Sequence, residues 1–147
     1  MVSPNPQRSV FLDSSVLYAV VFSATGPARR LLLKGLTGSV TLVISDLVLE
    51  ETKRNLTKNA PLALPSFSLI ADLFAPYITR PSKAEVLQAA KIVYLKDAPI
   101  VAAATKVKAD YLATHDVKHL LNHAQAIDRA YGITVLTPSE VLSVLIN

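Results

Sequence analysis

Short apolar strands alternate with helix-forming segments along the whole chain. The runs at residues 9–12, 40–44, 111–114 and 133–136 are mostly apolar and do not alternate between polar and apolar positions. That pattern is typical of strands covered on both faces of a sheet. Strands separated by helices predict βαβ units. We therefore expect an α/β fold of three layers (α/β/α), with helices on both faces of a central, mostly parallel sheet of four to five strands.

Local signals predict where several of the helices begin and end. Ser45 is a favoured N-cap residue directly after the second strand. The sequences SKAE at 82–85 and TPSE at 137–140 are capping boxes, in which two side chains each satisfy a free backbone N–H group. A helix predicted at 28–34 is followed by Gly35, a natural C-terminal cap.

Length and composition restrict the class of protein. With 147 residues the chain fits one domain, residues 1–147, with residues 1–7 as a flexible tail. Because 51% of it is apolar and 18% charged, we expect a globular fold. The absence of cysteine excludes disulfides and thiolate metal sites. No apolar run reaches the roughly 18 residues that span a bilayer, and the first residues lack the apolar centre of a signal peptide, so we expect a cytoplasmic protein.

Acidic residues from separate segments are expected to meet at one edge of this sheet. Asp13 and Asp116 follow strands, and Glu50 and Glu51 lie in the first two turns of the helix after the second strand. Asp97 opens a helix that must run antiparallel to the following strand, so its N-terminus lies at the same edge. Ligands of such sheets bind beyond the carboxyl ends of the strands. The sequence therefore predicts one crevice lined by acids.

Each acid also has a purely structural explanation. An aspartate at 13, 97 or 116 can cap a helix, and a glutamate near a helix N-terminus is favoured by the helix dipole. Together, however, like charges in one crevice repel one another unless a cation or protons compensate. Mg²⁺ and Mn²⁺ prefer carboxylate and water oxygens. An acid cluster in a basic chain without cysteine therefore favours metal-assisted phosphodiester chemistry over zinc chemistry.

The acidic motifs resemble those of a known family. The segments FLDSS at 11–15, ISDLVLEE at 44–51, DAPI at 97–100 and ADYLATHD at 109–116 are similar, in order and spacing, to the four motifs of PIN-domain ribonucleases. The resemblance covers nearly the whole chain and is nearest to small prokaryotic VapC-like toxins of toxin–antitoxin pairs. It implies the compact PIN fold and a metal-dependent endoribonuclease that leaves a 3′-hydroxyl and a 5′-phosphate.

The resemblance also assigns roles to residues. It implies that Asp13, Asp97 and Asp116 are catalytic and bind one or two Mg²⁺ or Mn²⁺ ions, with Asp13 and Asp97 as the main ligands. Counting from Ser45 makes Glu51 the remaining acid, with Glu50 as the alternate. Two hydroxyl residues would orient carboxylates or bound waters, and they are Ser15 and Thr114. His115 departs from the small or basic residue that is common in the family at that position.

Basic residues near the predicted crevice are candidates for binding RNA. The net charge of +4 fits a polyanionic partner, and cations flanking the site would neutralise phosphates. An ordinary solvated helix face explains each of them equally well. The candidates are Arg29, Arg30, Lys34, Lys53, Arg54, Lys58 and His115.

Other functions remain open at this point. The chain could be a PIN-like module that binds RNA or protein without cleaving, or a PIN nuclease of RNA processing without a toxin role. A nucleotide-binding doubly wound domain is disfavoured, because no G-x-G-x-x-G or phosphate loop is present. If the chain is a toxin, we expect a cognate antitoxin that covers the crevice, and a homodimer.

Three further features of the sequence have structural interpretations. His119 and His123 have the spacing of two ligands on one helical face, but no third ligand is evident, which argues against a metal site there. Tyr94 falls in an apolar pattern and is predicted to be in the core rather than a base-stacking platform. Val86, Ala90 and Val93 are predicted to lie on the buried stripe of the helix that begins at the first capping box.

Overall fold

The structure is a computed structural model that describes residues 7–145. Of the expected flexible tail, residues 1–6 lie outside the described part of the chain, and Gln7 accepts a hydrogen bond of 3.0 Å from Thr41 Oγ1. The strands and helices are, in chain order, β1 (Ser9–Leu12), α1 (Ser14–Phe22), α2 (Pro27–Leu36), β2 (Thr41–Ser45), α3 (Asp46–Asn59), α4 (Leu64–Leu73), β3 (Ile78–Thr79), α5 (Lys83–Ala89), α6 (Ala98–Lys106), β4 (Tyr111–Ala113), α7 (Ala124–Tyr131), β5 (Thr134–Leu136) and α8 (Pro138–Leu145).

The five strands form one parallel sheet in the order β3-β2-β1-β4-β5. Every neighbouring pair is parallel, and Val10 of β1 lies opposite Leu42 of β2 on one side and Tyr111 of β4 on the other. Helices flank this sheet in a three-layer α/β fold, which confirms the predicted fold class. Because β1 is the central strand, the residue after it lies between the ends of β2 and β4.

The central strand is buried on both faces. Val10, Phe11 and Leu12 are consecutive, so their side chains point to opposite faces in turn, and each is 0% exposed. The missing polar alternation in this segment therefore has the cause that the sequence predicted, namely helices packed on both sides.

The predicted capping signals form in the structure. The side chain of Ser45 accepts a hydrogen bond from Val48 N at the start of α3. Ser82 and Glu85 exchange both bonds of a capping box, and Thr137 and Glu140 do the same at the start of α8. Each cap satisfies backbone N–H groups that the first helical turn leaves without a partner.

Gly35 does not cap α2, so that prediction was wrong. The helix continues through Gly35 to Leu36, and the C-cap residue is Thr37. A Cβ atom added to Gly35 would lie 2.6 Å from Leu42 Cδ1 on the neighbouring strand β2. The reason for glycine here is therefore close packing of α2 against β2, while Gly38, with φ of 82°, supplies the left-handed turn that follows.

The helix after the first capping box is shorter than predicted. Helix α5 ends at Ala89, and the chain then runs in turns to Asp97. Val93 is buried although it lies beyond the helix, whereas Val86 and Ala90 are only partly buried. The turns direct Tyr94 outward, where it is 55% exposed, so the prediction of a core position for this residue was wrong.

Membrane spans were assessed on the described residues only. No single helix there is both long and apolar enough to cross a bilayer, whereas α1 and α2 together meet that criterion by length and composition although they are bent by 92°.

Candidate metal centre

Three elements bring acidic residues to the carboxyl edge of the sheet. Asp13 follows β1, and its N–H donates to Ala113 O at the end of β4 with a distance of 3.2 Å. Ser45 at the end of β2 and Asp97 are the N-cap positions of α3 and α6. The topology thus places the ends of β1, β2 and β4 and the beginnings of α3 and α6 at one edge of the sheet.

Asp13 is buried and is held by three donors. It is 4% exposed. Its Oδ1 accepts hydrogen bonds from Ser15 Oγ at 2.5 Å and from Val16 N at 3.2 Å, and its Oδ2 accepts one from Thr114 Oγ1. Burial raises the pKa of the Asp13 carboxyl above its ordinary value, the three hydrogen bonds partly offset this shift, and the nearby charge of Asp116 adds to it. Asp13 therefore caps α1 and also lies within the electrostatic field of Asp116.

The two hydroxyl residues of the prediction connect the acids to the backbone. Thr114, which is 0% exposed, donates to Asp13 and accepts a 2.9 Å hydrogen bond from Asp116 N. Ser15 donates to Asp13 and accepts a 3.0 Å bond from His115 N. Each hydroxyl bridges the segment after β1 and the segment after β4, so the two exits are fixed relative to each other.

Glu51 faces the acid cluster, whereas Glu50 is exposed. Partial burial raises the pKa of the Glu51 carboxyl above its ordinary value, and the Ser14 hydroxyl opposes this shift. The charges of Asp13 and Asp97 raise the same pKa further, and that of Arg54 lowers it. Of the two glutamates, Glu51 therefore shares the electrostatic environment of the aspartates.

Asp97 occupies an N-cap position without using its carboxylate as a cap. Its side chain accepts no capping hydrogen bond from α6, so the capping explanation does not apply to it. Its Oδ2 instead lies 2.8 Å from His119 Nδ1, and the two side chains are only 13% and 18% exposed. Asp116, in contrast, does act locally as a cap, because its Oδ1 accepts a 3.0 Å bond from His119 N.

One compact group of possible metal ligands emerges among the described residues. Asp97, Asp116 and His119 each offer one donor atom, and these three atoms lie within 4.8 Å of one another. Asp13 and Glu51 are not members of this group. The sequence did not predict His119 as a partner of the acids, because its spacing of four from His123 indicates only a pair of histidines. In the structure, His123 Nδ1 donates to His119 O at 2.9 Å.

The donor set of this group fits a divalent cation. Two carboxylates supply the oxygens that Mg²⁺ and Mn²⁺ prefer, and an imidazole is a further donor that transition metals accept. The charge of Asp116 raises the pKa of Asp13, and the charges of Asp13 and Asp97 raise the pKa of Glu51. A cation would relieve this repulsion, so the residues present fit the metal that the sequence predicted.

The basic residues separate into two sets. Lys53, Arg54 and Lys58 line one open concave surface of α3 together with Glu50, and Arg54 is close enough to influence Glu51. His115 is exposed beside Ser15. These side chains are accessible to a phosphate backbone that reaches the acid cluster.

Among the described contacts, none joins the cations of α2 to the acids. Arg29 Nε donates to Val20 O at 2.8 Å and so connects α2 to α1. Lys34 O accepts from Ser39 N in the loop that enters β2 at the opposite edge of the sheet. Arg30 is exposed on the same helix. For this set the interpretation as ordinary structural or surface residues is favoured.

Comparisons with known proteins rest on structure. No protein-family model matches the chain, and no curated protein matches its sequence. The fold is similar to that of PAE2754 from Pyrobaculum aerophilum, with a TM-score of 0.67 and 21% identity over 95% of this chain and 90% of the other.

Two further structures share this fold, and one of them is described as a toxin. VapC20 from Mycobacterium tuberculosis, described as a toxin that cleaves the sarcin–ricin loop, has a TM-score of 0.56 and 17% identity over 74% of this chain and 91% of the other. VapBC2 from Rickettsia felis, bound to a DNA fragment from its promoter, has a TM-score of 0.53 and 17% identity over 75% and 89% of the two chains. The fold of this chain is the VapC-like PIN fold.

Proposed function

We propose that this chain is a Mg²⁺- or Mn²⁺-dependent endoribonuclease. The observation that carries the proposal is that four acids from separate segments meet at one edge of the sheet. The charge of Asp116 raises the pKa of Asp13, and the charges of Asp13 and Asp97 raise the pKa of Glu51. Asp97 and Asp116 also belong to one group of possible metal ligands. The similarity in fold to a toxin described as cleaving the sarcin–ricin loop supports RNA as the substrate.

The roles of the residues follow from their contacts. Asp97 and Asp116 would hold the cation, and Asp13 and Glu51 add negative charge around it. When bound, the cation supplies an activated water and stabilises charge on the phosphate. Ser15 and Thr114 fix the Asp13 carboxylate. Lys53, Arg54 and His115 would contact phosphates on either side of the scissile bond, which makes binding weaken as salt increases.

A cleavage assay with controlled metal tests the proposal. We expect the purified chain to cut RNA with Mg²⁺ or Mn²⁺, to lose this activity in excess EDTA, and to regain it when the metal is restored. Cleavage that continues in excess EDTA contradicts a metal-dependent site. Salt-dependent RNA binding without cleavage in any of these metals favours instead a PIN-like binding module.

We further propose that the chain is the toxin of a type II toxin–antitoxin pair, acting in the cytoplasm, and we retain the prediction of a homodimer. The similarity to the VapBC2 complex supports an antitoxin partner. Expression of the chain alone is expected to arrest growth, and Asp13→Ala or co-expression of a small neighbouring gene is expected to restore it. A metal-dependent nuclease whose expression leaves growth unchanged favours a role in RNA processing.

A further inference from the structure

His119 is an unexpected member of the acid cluster. Its Nδ1 lies 2.8 Å from Asp97 Oδ2, and it follows Asp116 by three residues in the turn after β4. We propose that His119 is a direct nitrogen ligand of the cation, and that the site consequently binds Mn²⁺ in preference to Mg²⁺. This inference deepens the proposed function, because it concerns the composition of the same site.

The separations within the group fit a shared ion. A cation that lies roughly 2.1 Å from each donor holds adjacent donors about 3 Å apart and opposite donors about 4.2 Å apart. The 2.8 Å between His119 Nδ1 and Asp97 Oδ2 fits adjacent positions. All three donor atoms of Asp97, Asp116 and His119 lie within 4.8 Å of one another. One ion therefore reaches all three side chains without a large rearrangement.

The backbone of His119 and its imidazole ring are both restrained. Its backbone N–H donates to Asp116 Oδ1 at 3.0 Å, and its carbonyl accepts from His123 Nδ1 at 2.9 Å. The ring of Tyr94 packs against the imidazole ring of His119, with the two ring centroids 5.4 Å apart. A side chain restrained in this way loses little further freedom when it binds a metal, which favours a ligand whose position is set before the metal arrives.

The structural alternative is that His119 only orients Asp97. In the metal-free protein, Nδ1–H donates to the Asp97 carboxylate, as outer-sphere groups commonly do. As a ligand through Nδ1, the neutral ring carries its proton on Nε2 instead. The two roles differ in one measurable property, because only a directly bound nitrogen couples strongly to the electron spin of Mn²⁺.

The choice of metal follows from the nitrogen. Mg²⁺ strongly prefers oxygen donors and near-ideal octahedral geometry, whereas imidazole is a donor suited to transition metals. Substitution of His119 by glutamine keeps an N–H group that can donate to Asp97 but removes the imidazole nitrogen. We therefore expect His119→Gln to lower the affinity for Mn²⁺ by about 10- to 100-fold and to change the affinity for Mg²⁺ much less.

Pulsed electron paramagnetic resonance on the full chain with Mn²⁺ alone is the direct test. We expect nitrogen coupling in the wild type, a change of that coupling when histidine is labelled with ¹⁵N, and its loss in His119→Gln. His115→Gln, at an exposed histidine of the same segment, is the matched control and should keep the signal. The labelled wild type needs no substitution, so the test stands even where a variant folds poorly.

The contrary results are equally clear. Absent nitrogen coupling in Mn²⁺-loaded wild type, or coupling that persists in His119→Gln, overturns the assignment and leaves an all-oxygen site. RNA cleavage measured on the same samples separates the two proposals. Cleavage without nitrogen coupling rejects only the histidine ligand, and nitrogen coupling without cleavage rejects only the nuclease.

Discussion

Thr114 Oγ1 donates a hydrogen bond to Asp13 Oδ2 although the two residues are 101 positions apart in the sequence. Thr114 follows β4 and Asp13 follows β1, and these strands are neighbours in the sheet. The same hydroxyl accepts from Asp116 N at 2.9 Å. One small side chain thus sets the relative position of two of the candidate catalytic acids.

Removing this hydroxyl should affect both stability and activity. In Thr114→Val the shape is kept, but Asp13 loses a donor and Asp116 N loses its acceptor, at a residue that is 0% exposed. We expect a loss of about 1–3 kcal/mol in the free energy of unfolding and a 10- to 100-fold loss of cleavage rate. Thr114→Ser, which retains the hydroxyl, should stay close to wild type in urea melts and in cleavage. Equal rates for the valine and serine variants contradict the bridging role.

Asp13→Asn should stabilise the metal-free protein at neutral pH. Burial raises the pKa of Asp13 in the folded state, so its ionised form destabilises the fold at pH values above that pKa. This penalty disappears as the pH falls toward the unfolded value of about 4. With EDTA at pH 7.5 we expect the free energy of unfolding of Asp13→Asn to exceed that of the wild type by a value on the order of 1 kcal/mol, or about 2–4 °C in Tm. This difference should shrink as the pH falls toward 4.

Glu51 is present in both proteins, but the charge of Asp13 raises its pKa, so the measured gain also includes the relief of that repulsion. The amide can keep the hydrogen bonds, since the hydroxyls of Ser15 and Thr114 can also accept. Thermal melting across this pH range measures the difference. A variant that is less stable than wild type at neutral pH, by an amount that shrinks as the pH falls, shows instead that the ionised carboxylate is a net stabiliser of the metal-free fold.

Gly35→Ala should destabilise the fold away from the site. The new Cβ would lie 2.6 Å from Leu42 Cδ1 and 2.8 Å from Leu42 Cγ, and overpacking of this kind costs about 1–3 kcal/mol. With Leu42→Ala already present, the same substitution should become neutral or favourable, because alanine suits a helix better than glycine. Gly26→Ala, where the new Cβ would lie 3.5 Å from Ser23 Oγ in ordinary van der Waals contact, is the control. Identical costs of Gly35→Ala in both backgrounds contradict the packing explanation.

The parts of the structure that sequence could predict are those encoded locally. Val10, Phe11 and Leu12 form an apolar run that ends in Asp13, and such a run fixes both a buried strand and the edge at which its acid emerges. Ser45 marks the start of α3 through a hydrogen bond from Val48 N, which is only three residues further along the chain. Because the strands are parallel, their carboxyl ends meet at one edge of the sheet, and acids from distant segments of the chain come together there.

The parts that were missed depend on distances between elements. The contact of His119 with Asp97 spans 22 residues and needs the turn after β4 to fold back over the start of α6. Glycine is required at position 35 because α2 packs closely against Leu42 of β2. The residue pattern within α2 alone cannot predict that distance. Tyr94 is exposed because α5 stops at Ala89, although the apolar pattern continues beyond that residue.

The cleavage rate of Asp97→Asn in saturating Mn²⁺ tests the central claim most directly, because Asp97 has no capping role that its loss would disturb. RNA cleavage by this variant should fall by about 10³-fold or more if its carboxylate binds the cation that drives the reaction. Asp128→Asn, at an exposed aspartate of α7, should cleave at the wild-type rate. Cleavage by Asp97→Asn within a few-fold of wild type, in protein that melts normally, would contradict the claim that this acid cluster is a metal-dependent ribonuclease site.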